Sequence, residues 1–162
     1  MADSHRPEYY ECSDIDWFCT INGINIHVAS MGRDLPQCIE KTLPLVYKQV
    51  SEIEMAPWQK GEGFWLNTDV VRRWCQLGDP YDIARYLSSF VVMARKGFFS
   101  FAPVTPDITD NDYYLMAKPT EVVNHQIEGL VSFEIPDLKL NYLESTTAVR
   151  IVDLINQTRK RD

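Results

Sequence analysis

The side chain in this sequence with the clearest capacity for acid–base chemistry is His27. It lies in an alternating segment, 14–30, in which Asp16 is placed to reach it diagonally from a neighbouring strand. A carboxylate beside an imidazole can orient the ring as in a general base. The alternative is a structural histidine that packs on Phe18 and bonds to its neighbours. The sequence leaves both interpretations open.

The four cysteines are weaker candidates for a nucleophile. Cys38 falls at an expected helix N-terminus, a position that lowers a thiol pKa and favours the thiolate. Cys75 is close to two arginines but has no identifiable partner, and Cys19 is expected to face an apolar core and to be inert. We therefore keep Cys38 as the one cysteine candidate for catalysis.

The short motifs of common catalytic and cofactor sites are missing from the sequence. There is no Walker A loop, GxGxxG fingerprint, GxSxG elbow or HExxH pair. The histidines at positions 5, 27 and 125 show no ligand spacing, and the cysteines form no CxxC pair. We therefore expect no metal and no cofactor. A non-enzyme is favoured, although a site can also be assembled from distant residues.

The charge of the chain favours a basic partner. Its 16 basic and 23 acidic residues give a formal net charge of −7. Binding to a nucleic-acid backbone needs clustered Lys and Arg, so we exclude a nucleic-acid partner. Opposite net charge speeds the encounter with a basic protein. The alternative is that the acidity serves solubility alone.

Two acidic segments and one tryptophan are the candidate contact residues. The loop TPDITDND carries Asp107, Asp110 and Asp112. It lacks the alternate carboxylates, glycine and final glutamate of an EF-hand, so we interpret it as a solvated acidic loop. A second group precedes or begins the first strand: Glu8, Glu11, Asp14 and Asp16. Trp58 falls in the turn-rich stretch PWQKGEG, and if exposed it marks a binding surface.

The element that must position His27 and Asp16 is a β-hairpin. Asn22-Gly23 stands between two alternating runs, which is typical of a type I′ turn. With that turn, Phe18 lies opposite His27 on a half-polar face, which we expect to meet solvent, a loop or a ligand. The other face is apolar throughout and belongs to a core.

A helix from Asp79 to Gly97 is the best-defined element of the remaining chain. Asp79 can cap its N-terminus, Pro80 suits its first position, and Gly97 can end it. Its expected buried stripe consists of Ile83, Leu87, Phe90, Val91 and Ala94. An aromatic strand follows directly, and a last helix is predicted to begin at Asn141.

These patterns predict one α+β domain over residues 14–162, after a flexible lead-in of residues 1–13. The sheet is expected to be mainly antiparallel, with helices packed on one face. The N-terminus lacks an apolar signal segment, and no run reaches the roughly 18 residues of a membrane span. With unpaired thiols, this favours the cytoplasm and no membrane contact.

Two functional hypotheses follow. The favoured one is a non-enzymatic acidic protein-binding domain, an inhibitor or toxin-neutralising immunity-type protein that acts on a basic partner. The alternative is a small enzyme or ligand-binding protein with its site on the polar face of the 14–30 hairpin, at His27 and Asp16. Nothing in the sequence indicates an oligomeric state.

Overall fold

The first hairpin of the structure follows from its turn residues. The computed structural model describes residues 15–56, 63–74, 79–121, 127 and 129–161. Asn22 and Gly23 have φ values of 53° and 80°, so both central residues are left-handed, as a type I′ turn requires. Strands β1 (Asp16–Ile21) and β2 (Ile24–Ala29) flank the turn. Phe18 pairs with His27, which confirms the predicted register.

The described residues form a single α+β domain around one six-stranded sheet. In chain order the further elements are α1 (Gln37–Glu40), α2 (Leu43–Met55), β3 (Phe64–Leu66), α3 (Thr68–Trp74), α4 (Pro80–Arg95), β4 (Phe99–Ala102), β5 (Tyr114–Pro119), β6 (Ser132–Phe133), a 3₁₀ turn (Leu140–Tyr142) and α5 (Ile151–Arg161). The strand order is β3-β5-β4-β2-β1-β6. β1–β2, β3–β5 and β4–β5 pair antiparallel, whereas β1–β6 and β2–β4 pair parallel. The α+β class is confirmed, and the sheet is mixed.

Helices pack on the sheet and are divided over its two faces. One face of the hairpin packs with residues of α1, α5 and the N-terminal half of α2: Trp17, Cys19, Ile26 and Val28 with Ile39, Val46, Ile151 and Ile155. The other face of the sheet packs with α3 and α4: Ala29, Ala102 and Met116 with Val70, Val71, Ile83 and Leu87. Phe18 is 1% exposed and His27 is 2% exposed, so the hairpin face that we expected to meet solvent, a loop or a ligand is closed. None of the described helices is long and apolar enough to cross a membrane.

Helix α4 has the ends that its sequence predicts. Asp79 Oδ1 accepts a hydrogen bond from the Tyr81 amide at 2.7 Å. Gly97 has a φ of 95°, which turns the chain out of the helix and toward β4. The buried stripe includes Met93, whereas Val91 is only half-buried. Met93 fills the contact because it packs into a cluster with Phe18, Ile53 and Phe98.

The last helix begins later than predicted, at Ile151 instead of Asn141. Val149 forms a two-way backbone bridge with Tyr113, in which the N···O distances are 2.8 and 2.9 Å. A residue bonded in this way to an antiparallel partner is extended and cannot belong to a helix. The capping pattern at Asn141 and Glu144 is therefore unused, and Ala148 is exposed.

Candidate functional site

Neighbouring strands bring an aspartate, a histidine and a serine together; we call these three residues the His27 cluster. His27 on β2 pairs with Ser100 on β4, and Asp16 lies on β1. His27 Nδ1 is 2.5 Å from Ser100 Oγ, and His27 Nε2 is 3.5 Å from Asp16 Oδ2. The contact between His27 and Asp16 that the hairpin pattern indicated is thus present in the structure. Sequence reasoning missed Ser100, whose only signal is a polar residue inside the aromatic run Phe99–Phe101.

The His27 cluster runs from the interior toward the surface. His27 is 2% exposed and Ser100 is 0% exposed, whereas the Asp16 side chain is 39% exposed. The imidazole lies 5.3 Å from the Phe18 ring and 6.5 Å from the Phe90 ring, measured between centroids. Nε2 is a buried nitrogen that makes no hydrogen bond among the described residues. The ring is therefore enclosed by aromatic side chains and anchored through Nδ1.

The composition of the His27 cluster is that of an acyl-transfer triad, but its accessibility is not. A triad needs a serine oxygen that can reach a substrate carbonyl. Ser100 Oγ belongs to a residue without exposed surface in a central strand. His27 is a packed and hydrogen-bonded histidine in this structure. A catalytic role for His27 and Asp16 stays a prediction.

The cysteine candidates are separated from the His27 cluster. Cys19 is buried, and its burial together with the nearby charge of Cys38 raises the pKa of the Cys19 thiol, which stays protonated. Cys38 is half-buried on α1 and packs against the face of the sheet that carries Cys19. The sheet therefore lies between Cys38 and His27, so the two cannot act as nucleophile and base in this fold. Cys75 lies outside the described residues.

The second candidate region is the acidic loop 105–112, which is built around a buried arginine. Arg33 is 5% exposed. Its Nε donates to Asp110 O at 2.9 Å, and its Nη2 donates to Thr105 O at 2.7 Å and Asp107 O at 2.8 Å. Its Nη1 donates to Met31 O at 3.1 Å. The loop thus closes over one guanidinium, which satisfies its inward-facing carbonyls.

The carboxylates of this loop also take part in its own hydrogen bonds. Asp107 Oδ1 accepts from Thr109 N at 2.9 Å and from Thr109 Oγ1 at 2.7 Å. Asp110 accepts from Asp112 N and from Thr105 Oγ1, both at 2.9 Å. The bonds from Thr109, and after them the charge of Arg33, lower the pKa of Asp107. These interactions favour the ionised carboxylate of Asp107, which lies on the exposed surface.

The third aspartate of the loop faces a basic side chain. Asp112 Oδ1 is 3.3 Å from Arg150 Nε. Burial, followed by the charges of Asp112 and Asp110, raises the pKa of Tyr114. Asp112 and Asp110 are therefore directed partly toward the protein itself, and Asp107 is the loop carboxylate that is most open to solvent.

An apolar tip adjoins Asp107. Ile108 is 61% exposed and Met31 is 36% exposed. A Cβ atom added at Gly32 would lie 3.9 Å from Ile108 Cγ2, so Ile108 sits over the turn that contains Met31. We call Met31, Asp107 and Ile108 the Ile108 patch. The sequence indicated the charge of this loop but not its apolar tip.

Other candidate residues fall elsewhere. Trp58 lies outside the described residues, as do Glu8, Glu11 and Asp14. Exposed aromatic side chains among the described residues are Tyr47 at 45%, Trp74 at 51%, Tyr81 at 70% and Tyr142 at 83%. Within the described ranges, no group of three or more His, Cys, Asp or Glu side chains could hold a metal ion.

Comparison with known proteins assigns no family to the chain. No family model matches it, and no curated protein and no solved structure is significantly similar to it. Function therefore has to follow from the chemistry of the chain's own residues.

Proposed function

We propose that this chain is a non-enzymatic acidic protein-binding domain that acts on a basic partner, as an inhibitor or toxin-neutralising immunity-type protein does. The observation that supports this proposal is the construction of the loop 105–112. Arg33 donates hydrogen bonds to backbone carbonyls on the inner side of the loop. The ionised carboxylate of Asp107 lies on the outer side of the loop. A preformed anionic loop loses little conformational freedom when a cationic partner binds.

The distribution of positive charge is consistent with the same function. Lys96 is 5% exposed, like Arg33. Its Nζ donates to Ile53 O and Glu54 O, both at 2.7 Å, at the C-terminal end of α2, where a cation is favoured by the helix dipole. Both buried cations thus bond to backbone carbonyls and leave surface carboxylates available to a partner.

The proposed partner is a protein with clustered Lys and Arg. Opposite charge accelerates encounter, and salt screens exposed charges beyond about 8 Å at physiological ionic strength. A membrane or nucleic-acid partner is not part of the proposal, since both present negative charge. We place the protein in the cytoplasm, where the unpaired thiols of Cys19 and Cys38 would stay reduced.

The proposal is tested by identifying the partner and then varying salt. The tagged chain is used to capture partners from its native host, and the purified partner is studied by surface plasmon resonance at low and high salt. We expect a basic protein whose association rate falls about tenfold or more at high salt. Asp107→Asn should slow association, whereas Asp137→Asn, at an exposed turn position, serves as the matched control. A neutral or acidic partner, or binding that salt does not change, would contradict the proposal.

A second candidate function is supported by the His27 cluster. Its buried, unbonded Nε2 beside a partly exposed carboxylate is a polar site that a small ligand or substrate could use. Because the ring is 2% exposed and Phe90 lies near it, surrounding side chains have to be displaced before a ligand can reach the ring. Titration with a fragment library, followed through the His27 ring signals in NMR spectra, tests this. Fragments that shift only surface signals would exclude the site.

A further inference from the structure

We infer that the Ile108 patch is the anchor of the contact with a basic partner, and that the partner presents apolar side chains flanked by Lys or Arg. This inference rests on the proposed function. It adds a location and a chemical pattern to a contact that was so far defined by charge alone.

Ile108 and Met31 are exposed apolar side chains. A single exposed apolar residue is ordinary on a protein surface. Here two of them belong to separate loops that approach each other, because Ile108 Cγ2 lies 3.9 Å from a Cβ atom added at Gly32, the residue after Met31. Water contact of adjoining apolar side chains is unfavourable, and burying them against a partner would be favourable.

The backbone of Met31 is in an uncommon conformation. This residue has a φ of 47°, in the left-handed region that non-glycine residues seldom adopt. The strained conformation is held because Met31 O accepts a hydrogen bond from Arg33 Nη1. The long, flexible side chain of a methionine is suited to an adaptable apolar contact.

Arg33 connects the two loops that carry the Ile108 patch. One guanidinium bonds the carbonyl of Met31 and also the carbonyls of Thr105, Asp107 and Asp110. Arg33 therefore fixes both halves of the patch relative to each other. A surface that is already ordered loses less conformational entropy when the partner binds.

The charge at the Ile108 patch favours a basic occupant. Asp107 adjoins Ile108 and is ionised at neutral pH, and the hydrogen bonds from Thr109 further favour its carboxylate form. A second copy of this chain would bring another net charge of −7, and lipid or nucleic-acid phosphates would also be repelled. A basic protein with an amphipathic surface satisfies both the apolar tip and the carboxylate.

The test uses defined probes with the full chain at low salt. One probe is a synthetic amphipathic helical peptide of Leu and Lys; the other is a scrambled peptide of the same composition without an apolar face. NMR chemical-shift mapping, including the Ile108 methyl groups, locates the binding site. We expect the amphipathic peptide to shift Ile108, Asp107 and Met31 and to bind more tightly than the scrambled peptide.

Variants separate this inference from the proposed function. Ile108→Ala should weaken binding of the amphipathic peptide about fivefold to tenfold, whereas Leu45→Ala, a comparably exposed apolar residue on α2 (44% exposed), should change it less than about twofold. If the peptide maps elsewhere on the acidic surface, or Ile108→Ala binds it unchanged, the anchor is refuted and the proposed function stands. If neither peptide binds at low salt, both fail.

Discussion

Arg33 and His27 are withdrawn from solvent almost equally, at 5% and 2% exposure, but their surroundings differ in kind. Arg33 is surrounded by backbone carbonyls, and each of its three side-chain nitrogens donates a hydrogen bond. His27 is surrounded by aromatic rings and two polar side chains, and its Nε2 makes no hydrogen bond among the described residues.

The difference shows that a buried nitrogen can order either a surface loop or the interior of the protein. Arg33 donates its hydrogen bonds to the inner side of the loop 105–112. The outer side of that loop is therefore ordered and available to a partner. His27 bonds Ser100 on β4 and lies near Asp16 on β1, on the face of the sheet that carries Phe18. Within the His27 cluster, only the side chain of Asp16 is appreciably exposed to solvent. This contrast is the physical reason why we propose the functional contact at the loop and not at the histidine.

Removing the arginine tests the contrast most strongly. We expect Arg33→Met to lower the free energy of unfolding by about 3 kcal/mol or more, because carbonyls that accepted charged hydrogen bonds lose their donor. Urea denaturation measures this loss. Arg72→Met, at an exposed position, is the control and should change stability by less than about 0.5 kcal/mol. A loss below about 1 kcal/mol at Arg33 would show that the loop does not depend on the guanidinium.

Replacing the imidazole by a ring of similar size has a smaller expected effect. His27→Phe should cost about 1–2 kcal/mol, since Ser100 Oγ then lacks its partner in a buried site. Ser100→Ala should recover part of that loss in the double variant. Urea denaturation of the wild type, both single variants and the double variant gives a coupling energy, expected to be about 1 kcal/mol. Strictly additive losses would mean that the two side chains do not interact.

Asp16, the exposed residue of the His27 cluster, should contribute less to the free energy of unfolding. Asp16→Asn is expected to change the free energy of unfolding by less than about 0.5 kcal/mol, because the carboxylate is partly exposed and solvent screens its interaction with the ring. The same urea measurement applies. A loss above about 1 kcal/mol would reveal a strong carboxylate–imidazole pair and would strengthen the case for His27 chemistry.

The smallest effect is expected from acid at the loop. The folded-state pKa of Asp107 is lowered from its ordinary 3.8. Its contribution to stability is therefore present above that value and is lost as pH falls below it, through the folded pKa. The Thr109 amide signal, followed by NMR between pH 6 and pH 2, should report loosening of the loop, and Asp107→Asn should remove that dependence. An unchanged titration in the variant would assign the transition to another group.

The local elements could be predicted from sequence because their signals are local. Asn22-Gly23 sets the register of the hairpin, and Asp79, Pro80 and Gly97 set the ends of α4. The same register placed Asp16 near His27. These features depend on turn and capping chemistry within a few residues.

The remaining features depend on contacts between distant segments. Ser100 reaches His27 only through the parallel pairing of β2 with β4, 73 positions apart. Arg33 is buried by backbone carbonyls, which carry no sequence signature, so its segment reads as an ordinary loop. The bridge between Tyr113 and Val149 overrides a helix-start pattern that is reasonable by itself.

The two parallel pairings also bear on the order in which the molecule can be built. The β1–β2 ribbon closes through two turn residues, but its neighbours β4 and β6 arrive much later, the latter across 112 positions from Thr20 to Ser132. Connections of that length are slow to close. A β1–β2 ribbon that formed before β4 and β6 were made would have both long edges unpaired, and unpaired strand edges are prone to pair with other chains.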